Sequence, residues 1–234
     1  MSEEIKNTRR KFHTDIECVK RGHANGVASD HPLTEKEKKQ IIKKAATAYG
    51  KFLDALQCDW RNDPNSMETP TRVAKAYVND LWKGRYNELS DVTSFPSDGY
   101  QGIVLEKDIP VVSQCSHHHQ TILGKCHIAY IPGEDGRVIG LSKLNRIVEH
   151  FSRRGAIQEQ LTMAIHNALC KVVKKNVGVM VIMQATHNCV SCRGVKHMGA
   201  SMITSEVSGV FADHDKTAKQ EVMHMIGYGL DAYR

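Results

Sequence analysis

Apolar positions recur at helical spacing after residue 34, at Ile41, Ile42, Ala45, Tyr49, Phe52, Leu53 and Leu56. Thr34 and Glu37 stand just before them with the spacing of a capping box, so a helix is predicted from that point. Residues 57–67 read as a turn-rich loop. Thr69 and Pro70 predict a second helix, with Thr69 as N-cap and Pro70 at its first position. Val73, Ala74, Tyr77 and Leu81 mark its buried face, and Gly84 marks its stop.

From about residue 100 the period shortens. Residues 102–105 and 109–112 read as extended, and 126–131 alternate as a strand does. The run Pro-Gly-Glu-Asp-Gly at 132–136 predicts a hairpin-type turn. Ser142 then caps a helix whose stripe is Leu144, Ile147, Val148 and Phe151, and Gly155 breaks it. Leu161, Ile165, Ala168, Leu169 and Val172 outline the next helix. Residues 177–183 form an unbroken apolar run, the mark of a buried strand, and 200–211 alternate loosely as a last strand. Strands on either side of a helix pair imply an α+β fold, with a sheet carrying helices on one face. The organisation expected is a flexible tail over 1–33, a helical segment over 34–98 and an α+β domain over 99–234.

The 234 residues are 41% hydrophobic and 25% charged, enough for a sizeable core. No window approaches 18 uninterrupted apolar residues, and the first 30 residues carry charge throughout, with no apolar stretch of a secretory signal. The net charge of +6 favours an anionic ligand such as a phosphate, and most of the excess reads as solvated surface rather than a nucleic-acid face. Seven cysteines without a signal sequence point to thiols or metal ligands in a reducing, cytoplasmic setting.

Two segments concentrate the chemistry. One is Cys115-Ser116-His117-His118-His119, the other His187-Asn188-Cys189-Val190-Ser191-Cys192. Thiolate and imidazole at such spacing suit zinc. Cys115 and His118 could bind one ion from a single turn, with Cys189 as a third ligand and a position left for water. Two other readings stand beside this. Cys192 could complete a closed structural site, or the cysteines could be small core residues. Cys18, Cys58, Cys126 and Cys170 lack such company and are assigned to core or tail. Ser142, Lys143 and Arg146 open a helix and suit a phosphate. Gln158 and Glu159 begin another and could pair with the edge of guanine. Arg193 follows the second cluster, and Arg72 and Lys75 lie on the second helix.

Taken in order, these stretches closely resemble GTP cyclohydrolase I. They are residues 69–75 (Thr-Pro-Thr-Arg-Val-Ala-Lys), 115–118, 124–132, 140–148, 152–154, 158–162, 185–189 and 193–194. The resemblance implies the tunnelling fold (T-fold) and conversion of GTP to 7,8-dihydroneopterin triphosphate and formate, opening folate or pterin synthesis. It implies a homodecamer of two pentamers with active sites between subunits, and no nucleic-acid or membrane partner. It implies that Cys115, His118 and Cys189 bind Zn2+, that His187 protonates guanine N7 and that His117 assists later proton transfers. Gln158 and Glu159 would hold the guanine edge. Ser142, Lys143, Arg146, Arg193, Arg72 and Lys75 would surround the triphosphate and ribose. Competing readings are a relative acting on another purine, such as dGTP or a 7-deazaguanine precursor, and a non-catalytic zinc or nucleotide binder. Retention of His117 and His187 argues against the last.

The sequence departs from the family at the metal loop. Ser116 stands where the family has Glu, and His119, Gln120 and Thr121 replace a more apolar continuation. His119 is a further possible ligand. Lost partners around a metal commonly cost about 10–100-fold in affinity or activity. Ser116→Glu is therefore expected to shift zinc affinity or turnover about 10-fold. Chelator titration and steady-state kinetics check this, and equal values in both proteins would remove Ser116 from any such role.

Overall fold

The computed structural model of the protein describes residues 32–212 and 217–227. Of the tail expected over residues 1–33, residues 1–31, with Cys18, lie outside them. Leu33 is anchored, its N–H donating to Tyr86 O at 2.9 Å. Helix α1 spans Glu35–Ala55 and opens with the expected capping box. Thr34 Oγ1 accepts from the Glu37 N–H, and Glu37 Oε2 accepts from the Thr34 N–H at 2.7 Å.

Helix α2, Thr69–Ala76, is capped by Glu68 rather than Thr69. Glu68 O accepts from the Arg72 N–H at 3.0 Å, and the Glu68 carboxylate turns toward the Arg72 guanidinium instead of the backbone. Nor does Gly84 stop the helical path. A π-helical turn over Tyr77–Leu81 leads into a short α3, Lys83–Tyr86, with Gly84 inside it. The wider turn rotates the buried face, so Val78 is buried while Tyr77 and Leu81 are only half-buried. Gly84 serves close approach instead. A Cβ there would fall 2.0 Å from His150 O.

Strand β1 (Ser94–Pro96), β2 (Val104–Gln114), β3 (Thr121–Pro132) and β4 (Arg137–Ile139) follow. The two extended stretches expected at 102–105 and 109–112 belong to one strand, β2, with an irregularity between Glu106 and Ile109. The turn at 132–136 does not fold β4 back on β3. β4 pairs with β1 in a separate ladder, where Arg137 Nε and Nη2 donate to Ser94 Oγ and Ser94 O. After the helices α4 (Leu141–Ser152) and α5 (Gln158–Val172) come β5 (Asn176–His187), the single turn α6 (Asn188–Ser191), β6 (Met202–Gly209) and α7 (Thr217–Ile226). Gly140 is the N-cap of α4, and Ser142 lies inside the first turn without capping it.

The main sheet has the order β2-β3-β5-β6, with every neighbouring pair antiparallel. This is the α+β arrangement expected, with one correction: helices cover both faces. Val179, Val181 and Met183 of β5 meet Leu144, Ile147, Leu161, Ile165 and Leu169 of the helix pair. Met180 and Ile182 point the other way and meet Phe211 and Val222 of α7. A strand buried on both faces needs apolar residues at every position, hence the unbroken run. No helix among the described residues is long and apolar enough to cross a membrane.

The turn from α4 to α5 is pinned to α3 by buried polar groups. Arg154 is 1% exposed; its Nε donates to Gly84 O at 3.0 Å, and its Nη2 donates to His150 Nε2 at 2.5 Å. Burial, and then the guanidinium, lower the His150 pKa to about 4. Above pH 6.5 the imidazole is neutral folded or unfolded. Between 6.5 and about 4 only the unfolded chain gains the proton, so stability falls as the pH falls through that window. The expected loss is on the order of 3 kcal/mol. Urea unfolding at stepped pH checks it, and His150→Gln, which keeps an acceptor for Arg154 without titrating, is expected to flatten this part of the pH dependence.

Candidate metal centre and active site

The site grows from the way β2, β3 and β5 end together. Gln114 and Thr121 are the last paired residues of β2 and β3. The six residues between them form a closed turn, with the Cys115 N–H donating to Gln120 O and the His119 N–H donating to Cys115 O, both at 2.9 Å. Closure puts His119 at φ 52°, a left-handed conformation that histidine tolerates better than most residues. The linker between α4 and α5 straps this turn down. The Ala156 N–H donates to Gln114 O at 3.0 Å, and the Ser116 N–H to Ala156 O at 3.3 Å. Across the sheet Ile122 pairs with His187, so β5 ends beside the turn and α6 carries Cys189 over it.

The result is a group of three. The ligand atoms of Cys115, His187 and Cys189 all lie within 4.8 Å of one another. Cys115 is buried, 4% exposed, against Ile122 and Ala185, whereas His187 and Cys189 are half-buried. Two thiols and an imidazole converging on one point fit a soft, borderline divalent ion and leave room for a further ligand. Burial, reinforced by the nearby Cys115, pushes the Cys189 thiol up. Burial also lowers the His187 pKa, and the charge of Glu159 opposes this.

Gln158 holds His187 in place. It is fully buried, 0% exposed, and its Nε2 donates to Met183 O, Met202 O and Thr204 Oγ1 at 3.0–3.1 Å. Those acceptors fix the amide orientation, so Oε1 faces His187 and accepts from Nε2 at 2.8 Å. Gln158 begins a polar seam between α5 and β6. Thr162 Oγ1 lies 2.6 Å from Thr204 Oγ1, and His166 Nε2 lies 3.0 Å from Ser208 Oγ. The row Gln158, Thr162, His166 follows the i, i+4 spacing of one helix face, a signal that was present in the sequence. Its meeting with Thr204 and Ser208 depends on β6 lying beside β5, which no local pattern records.

The other expected site residues are placed as follows. His117 and His118 are exposed on the Cys115 turn and lie outside the close group, which holds His187 instead. The His119 ring turns to Tyr77 and Trp82, and Cys192 is exposed beyond the group. Glu159 is exposed at the start of α5, but Gln158 has its amide committed to the protein. Arg72 is exposed and pairs with Glu68 at 3.1 Å; Lys75 and Arg193 are exposed. Ser142, Lys143 and Arg146 lie at the start of α4, which leaves β4 where the Ile139 N–H donates to Tyr130 Oη. Tyr130 is eight residues along β3 from Ile122, roughly 26 Å at the rise of a strand. Ser142 and Lys143 therefore lie toward the end of the sheet opposite the thiols, whereas Arg146, a turn further on, borders Ile109, Pro110 and Val112 of β2, midway along it. Cys126 is buried in the core; Cys58, expected in core or tail, is exposed in the loop after α1.

Comparison with known proteins agrees with this geometry. The family model described as GTP cyclohydrolase I matches residues 45–227. The chain is 39% identical to the GTP cyclohydrolase 1 of Caldanaerobacter subterraneus subsp. tengcongensis over 192 residues, 80% of this chain and 96% of that protein. It is 40% identical to that of Thermoanaerobacter pseudethanolicus over 192 residues, again 80% and 96%. It is 41% identical to that of Streptococcus mutans over 188 residues, 79% and 94%. With the match running from within α1 to α7 and covering every element that builds the thiol and imidazole group, the chain belongs to the GTP cyclohydrolase I family.

Proposed function

We propose that this chain hydrolyses GTP to 7,8-dihydroneopterin triphosphate and formate, the first step of pterin and folate biosynthesis, as a cytoplasmic zinc enzyme with the tunnelling fold. The observation that carries the reading is the convergence of Cys115, His187 and Cys189 at one end of the sheet, in a chain of this family. Cys115 and Cys189 would hold the ion, and His118, on the same turn as Cys115, would complete the set. When bound, zinc supplies Lewis acidity that makes water a nucleophile near neutral pH.

The protein's own groups divide the remaining work. C8 of guanine is a poor electrophile until N7 gains a proton, and His187 would deliver it. Gln158 holds that imidazole, so it acts through His187, and reading of the guanine N1–H and N2–H₂ falls to the exposed Glu159 carboxylate. His117 would serve the later proton transfers of ribose opening and ring closure. A triphosphate carries about four negative charges, matched by Lys143, Arg146, Arg193, Arg72 and Lys75, with Ser142 as a further donor.

Ser142 and Lys143 stand far along the sheet from the thiol group of their own chain. The span of roughly 26 Å along β3 exceeds an extended nucleoside triphosphate. One substrate touching both the thiol group and the start of α4 would bridge two copies. Among the described residues nothing pairs with the outer side of β2 or of β6, and Ile203 on β6 is 54% exposed. This supports a ring assembly, a homodecamer of two pentamers, with sites between subunits.

Formate and pterin release from GTP by zinc-loaded protein tests the reading, with dGTP alongside. Turnover of GTP is expected, and its loss in His187→Ala; an active His187→Ala protein would remove the proton-donor role. Turnover of neither nucleotide by the unsubstituted protein with zinc bound would overturn the activity. Gln158→Met, which keeps the volume but loses the acceptor, is expected to lower kcat about 10-fold with KM for GTP less affected. Steady-state kinetics check this.

A further inference from the structure

We propose that His119 is a positioning residue, clamping the turn that carries Cys115, His117 and His118 to the helical path that carries Arg72 and Lys75. The proposal deepens the cyclohydrolase reading and rests on it for the identity of the metal and substrate. Three observations carry it.

First, His119 closes the turn. Its N–H donates to Cys115 O at 2.9 Å, and the Gln114 amide donates to His119 O at 3.4 Å. The left-handed φ of 52° that this requires would be met more easily by Gly or Asn, so the backbone alone does not account for a histidine here.

Second, the ring, exposed on one side, packs against a nest of two aromatic rings. It meets the Trp82 ring edge-on at 5.1 Å between centroids and the Tyr77 ring at 5.9 Å, and its Nδ1 lies 3.4 Å from Tyr77 Oη. Trp82 is itself held, edge-to-face with Tyr77 at 4.9 Å and with the Arg85 guanidinium 5.1 Å from its ring centroid. Such pairs fix a ring by shape and by the quadrupoles of the rings.

Third, the nest is built by the π-helical turn. Tyr77 begins it and Trp82 follows its last residue, directly after the α2 helix that bears Arg72 and Lys75. Extra residues in such turns redirect side chains and cluster at functional sites. Here they bring two rings together over the metal loop. Movement of α2 and movement of the loop are thereby tied through the His119 ring.

The test is made on the full chain. His119→Asn keeps a residue that tolerates the left-handed turn but removes the ring; Trp82→Phe alters the nest from the other side. Zinc affinity is read on metal-free protein by competition with a chromophoric chelator. His119→Asn is expected to bind zinc about 10-fold more weakly. The double variant is expected to lose less than the sum of the two single losses, as coupled groups do. At saturating zinc, His119→Asn is expected to raise KM for GTP more than it lowers kcat, because Arg72 and Lys75 lose their register with the loop. A merely structural role would lower the melting temperature and leave both quantities unchanged. Unchanged zinc affinity in His119→Asn, or strictly additive losses, would overturn the clamp. Absence of GTP turnover in the unsubstituted protein would overturn the activity instead, and the zinc titration would still decide the clamp.

Discussion

The pairing of β3 with β5 is the constraint on which the site depends. Antiparallel register is set over the whole ladder, from Tyr130 opposite Val179 to Ile122 opposite His187. Because side chains alternate with a period of two, a slip of one residue would turn Met180 and Ile182 toward α4 and α5 and put Val179, Val181 and Met183 against Phe211 and Val222, each set in space packed for the other. The buried run therefore locks the register, and the locked register delivers His187 and Cys189 to the Cys115 turn. Core packing and the geometry of the thiol and imidazole group are two consequences of one alignment.

Support of the site follows the same economy of parts. The face of α5 that meets β6 is polar along the row Gln158, Thr162 and His166, whereas Leu161, Ile165 and Leu169 enter the core. Buried polar groups are costly unless satisfied, so this seam holds only where Thr204 and Ser208 stand opposite. Its first member, Gln158, is fixed by three acceptors around its amide nitrogen, and His187 inherits that rigidity. The Ala156 strap does the same for the Cys115 turn.

The N-terminal helices are more than an appendage. Gly84 lets α3 press on the end of α4, Arg154 is buried between them, and the π-helical turn sets Tyr77 and Trp82 against His119. The anionic-ligand candidates on α2 and the thiol turn are thus mechanically adjacent. Ser142 and Lys143, at the start of α4, are distant along the same sheet.

The sequence by itself determined whatever depends on neighbours a few residues away. The capping box at Thr34, the apolar stripes of α1, α4 and α5, and the buried run of β5 were all legible, because helices and strands repeat at fixed short periods. So were Cys115 and Cys189 as metal candidates, from the chemistry of their neighbours. The tertiary structure alone decided the rest. The turn at 132–136 failed as a hairpin because β4 has a better partner in β1, some forty residues earlier. Caps moved from Thr69 and Ser142 to Glu68 and Gly140, where backbone geometry at the helix start outweighed side-chain preference. α7 covers a second face that was not expected. His187 joined the thiols while His118 stayed exposed, and the Gln158 amide came to bridge His187 and the strands beside it. Each of these outcomes is a choice among partners distant in the chain, made by burial and hydrogen-bond satisfaction over the whole fold, and local spacing carries no record of it.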